Sequence, residues 1–235
     1  MVELLDEVPA RALAIYAHPD DPEVSCGGTL ARWADAGAEI TLLIATRGEK
    51  GATDPGTEVE ALAAQRADEV AAAAEVLGVA VHAGLGYPDG ELDNTAALRR
   101  ELVARIRALR PDVVLAPDPT AVFFGTGYVN HRDHRELGWA VLDACCPAAA
   151  SPLYHPDAGP PHRVATLLLS GTLEPDVWVD IGATVQTKTT ALGCHRSQLG
   201  HDRGLVGEVV RQRAADAGRS AGVDHAEGYR RLILG

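Results

Sequence analysis

With 235 residues, 46% hydrophobic but only 4% aromatic, the chain has the length of one α/β domain with a core of Ala, Val, Leu and Ile. Its net charge of -12, from 33 acidic and 21 basic residues, argues against a general binder of phosphate backbones, so no nucleic-acid partner is expected. No apolar run approaches the roughly 18 residues of a membrane span, and MVELLDEV carries acids where a secretory leader would be basic, so a cytoplasmic location is expected.

Leu13 to Ala17 has the length and composition of a buried strand. It runs into His18-Pro19-Asp20-Asp21, where Pro19 cannot continue a sheet ladder, so an imidazole and two carboxylates fan out from one turn. Gly27-Gly28 and TLARWADAG then read as a turn into a helix. His18 and Asp21 are N and O donors suited to zinc, which leaves Asp20 as a neighbouring carboxylate for proton transfer. A turn in which an Asp simply caps the next helix accounts for the same residues.

Glu39 to Thr46 reads as a second buried strand ending in Arg47-Gly48-Glu49, and Glu58 to Leu77 as a helix closed by Gly78. VAVHAGLG gives a third strand, Tyr87 to Gly90 a turn, Leu98 to Leu109 a helix ended before Pro111, and Asp112 to Ala116 a fourth strand. This alternation implies an α/β fold with a mainly parallel, Rossmann-like sheet flanked by helices. CGGT lacks the G-x-G-x-x-G spacing, so the sheet does not imply a dinucleotide.

Residues 117–130 form a Pro- and Gly-rich loop at a strand tip, the kind of place where function concentrates. Asn130 is expected to cap the helix that carries His131 and His134, which share one face at i, i+3. Beyond a second Pro-rich stretch, 163–170 and 176–181 read as strands that extend the sheet or form a flap. From Ala183 onward the reading is helical, with breaks at Gly200, Gly204, Gly218 and Gly222. Cys26, Cys145, Cys146 and Cys194 lack C-x-x-C spacing and read as free, buried thiols. His82, His155, His162, His201 and His225 read as structural or surface residues, since nothing pairs them at ligand spacing.

AHPDDPE, GGTLARWADAG, ATRGEKG, RADEVAAAAEVLG, YPDGEL and HRDH, in this order from about Leu13 to about Val141, resemble the PIG-L or LmbE-like zinc-dependent N-acetylglucosaminyl de-N-acetylases. KTTALGCHRSQ, at Lys188 to Gln198, is similar to the C-terminal part of that family. Arg132 stands where the family usually has Pro, and Pro22 separates Asp21 from Glu23. The resemblance implies one domain over 1–235, with a motif-bearing core at about 11–146 and a C-terminal extension at about 163–235.

It also implies roles. His18, Asp21 and His134 would hold one Zn2+ per chain, or another divalent metal, and Asp20 would be the base that takes a proton from the attacking water. His131 would stabilise the tetrahedral oxyanion as an imidazolium. Asp133 would hold the His131 ring and raise its pKa, or else be a solvated carboxylate of the first helical turn. Arg66 and Asp89 would contact the sugar or its substituent, or else be a surface helix charge and a turn residue. His195 reads as a buried, hydrogen-bonded histidine or as a residue behind the metal ligands. The activity implied is removal of N-acetyl from an N-acetylglucosamine-containing small molecule or glycoconjugate; homo-oligomerisation stays open. The alternatives are a metal-dependent hydrolase of another amide or ester bond and a non-catalytic metal- or sugar-binding relative.

Overall fold

Seven strands form one sheet in the order β3-β2-β1-β4-β7-β9-β8 in this computed structural model, which describes residues 3–200 and 203–235. The strands β1 (Arg11–Tyr16), β2 (Glu39–Thr46), β3 (Val81–Tyr87), β4 (Val113–Pro117) and β7 (Thr166–Ser170) pair in parallel. β8 (Val177–Asp180) and β9 (Ala226–Ile233) add an antiparallel edge. The short strands β5 (Phe123–Phe124) and β6 (Tyr128–Val129) form a hairpin inside the 117–130 loop.

Helices cover both faces, which is why β1, β2 and β4 read as continuous apolar runs. Alternate residues of β1 go to opposite cores: Ala12, Ala14 and Tyr16 pack with α2 (Gly27–Asp35), α3 (Val59–Leu77) and α6 (Val185–Leu192). Leu13, Ile15 and Ala17 pack with α4 (Ala96–Leu109) and α5 (Arg132–Asp143). Gly78 closes α3 at φ 73°, the left-handed conformation that glycine adopts without a Cβ penalty.

The segments at 163–170 and 176–181 extend the sheet rather than form a flap. The all-helical reading after Ala183 is corrected in two places. Gly204 and Gly218 lie inside α8 (Arg203–Ala221) and break nothing, and residues 226–233 are strand β9, inserted between β7 and β8. Its sequence, AEGYRRLI, hides the strand because a glutamate and two arginines interrupt the apolar alternation.

The glutamate is a structural device. Glu227 accepts from the backbone N–H groups of Gly28 (3.0 Å) and Thr29 (2.8 Å) and from the Tyr229 hydroxyl, and it pairs with buried Lys188. β9 thereby supplies the acceptor for the open N-terminal turn of α2. A Cβ on Gly28 would lie 2.7 Å from Ile181, so only glycine lets α2 approach the end of β8 this closely.

All four cysteines are free; Cys26 and Cys145 are buried, as expected, whereas Cys146 is exposed and Cys194 half-buried. Among the described residues no helix is long and apolar enough to cross a membrane.

Candidate metal centre and active site

Strand order reverses between β1 and β4: β2 and β3 follow on one side of β1, β7 on the far side of β4. Side chains from the segments after both strands meet in the crevice outside their C-terminal tips, where open α/β sheets place ligands. The HPDD turn follows β1, and the segment that starts α5 follows β4.

His18 Nδ1 lies 3.2 Å from His134 Nε2 and 3.4 Å from Asp21 Oδ2, and His134 Nε2 lies 3.1 Å from Asp21 Oδ1. Donors on a tetrahedron of zinc-ligand radius, about 2.0–2.1 Å, stand roughly 3.3 Å apart. The triangle therefore has the size of one face of such a coordination sphere. Two imidazole nitrogens and the two oxygens of Asp21 converge there, and a cation would resolve their mutual crowding. His18, Asp21 and His134 thus form a possible metal site.

Each imidazole spends its other nitrogen on a fixed acceptor, the arrangement that orients metal-binding histidines. His134 Nδ1 meets Asn130 Oδ1 at 2.9 Å, and the Asn130 amide donates to the Ala121 carbonyl. His18 Nε2 lies between Asp89 Oδ1 at 3.1 Å and Asp133 Oδ2 at 3.2 Å. Burial lowers the pKa of His18, but the bonds to Asp133, Asp21 and Asp89 outweigh it and push the imidazole up to about 12. That excess of negative charge around one ring is what a bound cation would share.

Several sequence-based expectations are corrected here. Asn130 does not cap α5; His131 occupies the cap, its Nδ1 accepting from the Asp133 N–H at 3.2 Å. Asp133 is neither solvated nor the holder of the His131 ring. It is 0% exposed, and its carboxylate accepts from the N–H groups of Gly90 (2.7 Å) and Leu92 (3.2 Å) besides facing His18. Nor is His131 raised: burial first, then the His18 charge, push it below its ordinary value. With Nδ1 accepting, the neutral ring carries its proton on Nε2.

Asp89 is not a plain turn residue. It faces His18, receives the Lys50 N–H, and is held from behind by Glu49, which accepts from the Asp89 N–H at 3.1 Å. Arg66 is 3% exposed, so it is no surface charge. Its guanidinium donates to the carbonyls of Gly48 and Pro19 and lies 3.3 Å from Asp20 Oδ2. A Cβ on Gly48 would lie 2.6 Å from Arg66 Nη1, and glycine also meets the φ of +65° there. Asp89 and Arg66, expected to contact the sugar or its substituent, thus sit against the candidate ligand His18 and the candidate base Asp20.

Asp20 has φ 97° and ψ -27°, a left-handed conformation that strains a non-glycine residue by about 1–3 kcal/mol. Arg66 holds this turn from both sides, through the Pro19 carbonyl and the Asp20 carboxylate. Burial and then the Asp21 charge raise the Asp20 carboxyl to about 7, against the lowering effects of Arg66 and His195. The side chain borders a cavity of about 370 Å3 that His18, Asp21, His131 and His134 also line. Tyr128, Lys50 and Gln198 also contribute to that wall. Lys50 stands in the ATRGEKG block and Gln198 in KTTALGCHRSQ, so the motifs bracket both; nothing local singled out Tyr128 in its loop.

His195 is fully buried, with Nε2 3.1 Å from Glu23 Oε2, yet that contact lacks hydrogen-bond geometry and neither His195 nitrogen has a hydrogen-bond partner among the described residues. It is an ion-pair neighbour of Glu23 rather than the hydrogen-bonded histidine expected. Of the histidines set aside, His162 Nε2 donates to the Pro111 carbonyl at 2.8 Å, His82 is exposed, and His201 lies outside the described residues.

The model of the GlcNAc-PI de-N-acetylases, PIG-L, matches residues 13–145, more than half of the chain. The chain is 34% identical over 224 residues to the diacetylchitobiose deacetylase of Thermococcus kodakarensis, covering 94% of this chain and 82% of that protein. It is 37% identical over 179 residues to the 1D-myo-inositol 2-acetamido-2-deoxy-alpha-D-glucopyranoside deacetylase of Kineococcus radiotolerans, covering 63% of this chain but 48% of that one. The solved N,N'-diacetylchitobiose deacetylase of Pyrococcus horikoshii superposes with a TM-score of 0.87 at 30% identity, over 96% of this chain and 84% of that chain. A match through the whole metal-ligand segment and a shared fold over nearly the full length lead to one conclusion: the chain belongs to the PIG-L family of GlcNAc-PI de-N-acetylases.

Proposed function

We propose that the protein is a zinc-dependent hydrolase that removes the N-acetyl group from an N-acetylglucosamine-containing small molecule or glycoconjugate, with one metal ion per chain, in the cytoplasm. The observation that carries this reading is the triangle of His18, Asp21 and His134 with a strained, arginine-held carboxylate, Asp20, beside it. A zinc ion held by that triangle would supply Lewis-acid polarisation and bring the pKa of a bound water to about 7.

The chain's own residues do the rest. Asp20 takes the proton of the water that adds to the acetyl carbon, and passes it to the nitrogen as the C–N bond breaks, so acetate and a free amine leave. His131 donates its Nε2–H to the oxygen that becomes negative at the tetrahedral stage. Asp89 and Asp133 hold the His18 ring, Asn130 holds the His134 ring, and Arg66 holds Asp20 at its left-handed turn.

The test is release of acetate and of primary amine, in equal amounts, from N-acetylglucosaminyl compounds. Activity is expected to disappear on chelation and return with zinc; a protein that stays inactive on a broad panel after zinc loading would refute the reading.

Asp133 gives a second test. One of its oxygens faces His18 Nε2–H and the Gly90 N–H and the other the Leu92 N–H, so whichever way the amide of Asp133→Asn turns, its NH2 meets a donor. Zinc affinity is expected to fall about 10–100-fold, as for other residues that orient a metal-binding histidine. Chelator competition reads it, and wild-type affinity would remove Asp133 from the support of His18.

A further inference from the structure

A second cavity, of about 650 Å3, lies beyond the first and shares His134 and Tyr128 with it, so those two side chains form the wall between them. Phe124 and Tyr128 stand directly opposite one another in the β5–β6 hairpin and so project from the same face, with ring centroids 5.8 Å apart. Both line this cavity. Across from the aromatic face, α8 contributes Arg213.

The charge pattern differs sharply between the two spaces. The first is lined by three carboxylates, Asp20, Asp21 and Asp89, together with Lys50 and Arg66. The second has no carboxylate among its described lining residues, in a chain with 33 acidic residues, and Arg213 is its one permanent cation. Arg213 makes no ion pair among the described residues. It also borders a small cleft that contains Glu227, but that carboxylate is already taken by Lys188, the Gly28 and Thr29 N–H groups and Tyr229.

A guanidinium offers five donors and no acceptor, whereas a neutral polyol needs both. Of the hydroxyls that line the cavity, that of Ser170 is already engaged with Tyr16 at 2.8 Å, which leaves those of Ser25 and Tyr128. What matches a lone guanidinium facing an aromatic surface is a group with an anionic end and a flat or apolar body.

Resting on the deacetylase reading above, we propose that this second cavity is the subsite for the group attached to the acetylated sugar, and that it selects an aglycone bearing an anion, carboxylate or phosphate, through Arg213. The Phe124–Tyr128 face packs on the body of that aglycone while the amide stands at the metal ligands on the other side of His134.

The test uses the zinc-loaded full chain and three N-acetylglucosamine derivatives: the ethyl glycoside, the nearly isosteric carboxymethyl glycoside and the 1-phosphate. At least one anionic compound is expected to exceed the ethyl glycoside about tenfold in kcat/KM, the size of one partly exposed charge-assisted contact. Which of the two does so distinguishes carboxylate from phosphate. Arg213→Gln is expected to erase the preference and Arg213→Lys to keep part of it. Added salt should shrink it in the wild type, because the contact is partly exposed.

Equal kcat/KM for all three compounds, or a preference that survives Arg213→Gln, overturns the proposal. Calorimetric titration of the same compounds separates its failure from that of the deacetylase reading. Turnover without anion preference removes the subsite and keeps the deacetylase. Anion binding that depends on Arg213, without turnover of any compound, keeps the subsite and removes the deacetylase. Neither turnover nor such binding removes both.

Discussion

Asp20→Asn is expected to keep its metal and lose turnover by about 10²–10⁴-fold, the range that a positioned general base contributes. The substitution is isosteric. Its amide oxygen can stay beside Arg66, 3.3 Å away in the wild type, and Arg66 keeps its bond to the Pro19 carbonyl, so the left-handed turn and the residues beside it should persist. What disappears is a basic oxygen able to take a proton from water and return it to the leaving nitrogen. Zinc content by elemental analysis and kcat on the best N-acetylglucosaminyl substrate check this together. Turnover within a few-fold of wild type would take the base assignment away from Asp20; loss of zinc would mean that Asp20 belongs to the ligand set.

Glu227→Ala should destabilise the fold by about 3–5 kcal/mol, because it removes one partner of a buried ion pair and leaves the other charge unpaired. Side-chain exposure is 3% for Lys188 and 4% for Glu227, so water cannot replace the lost carboxylate. The Gly28 and Thr29 N–H groups lose their acceptor at the same time. Urea unfolding reads the effect, and a loss under about 1 kcal/mol would show that the pair is solvated in practice. Lys188→Met combined with Glu227→Leu should lose less than Glu227→Ala alone, since no unpaired charge is then buried. α2 begins two residues after α1 (Asp21–Ser25), whose first residue is the candidate ligand Asp21, so weaker zinc binding should accompany the loss of stability.

Local chemistry made part of this protein legible in advance. β1, β2 and β4 are buried on both faces and must be apolar throughout, whatever packs on them. Gly78 ends α3 because a helix terminus in the left-handed region favours glycine at any address. The donor types of His18, Asp21 and His134 were readable for the same reason, although it took the family resemblance to join motifs that lie 116 residues apart. Other features depend on partners that arrive from elsewhere in the chain. Strand β9 could not be read from AEGYRRLI, because a buried glutamate is tolerable only where Lys188 and the N-terminus of α2 come to meet it. Arg66, Asp89 and Asp133 are charged groups with several ways to satisfy themselves, and only packing decided that Arg66 holds Asp20 while both carboxylates face His18. The cap expected of Asn130 went to His131 for the same reason: each could cap a helix, but the amide of Asn130 was claimed by the Ala121 carbonyl and the ring of His134, leaving the cap to His131. Residue type and backbone propensity act at short range and are written in the sequence, whereas the choice among equivalent polar partners is made by the distances that the folded sheet imposes.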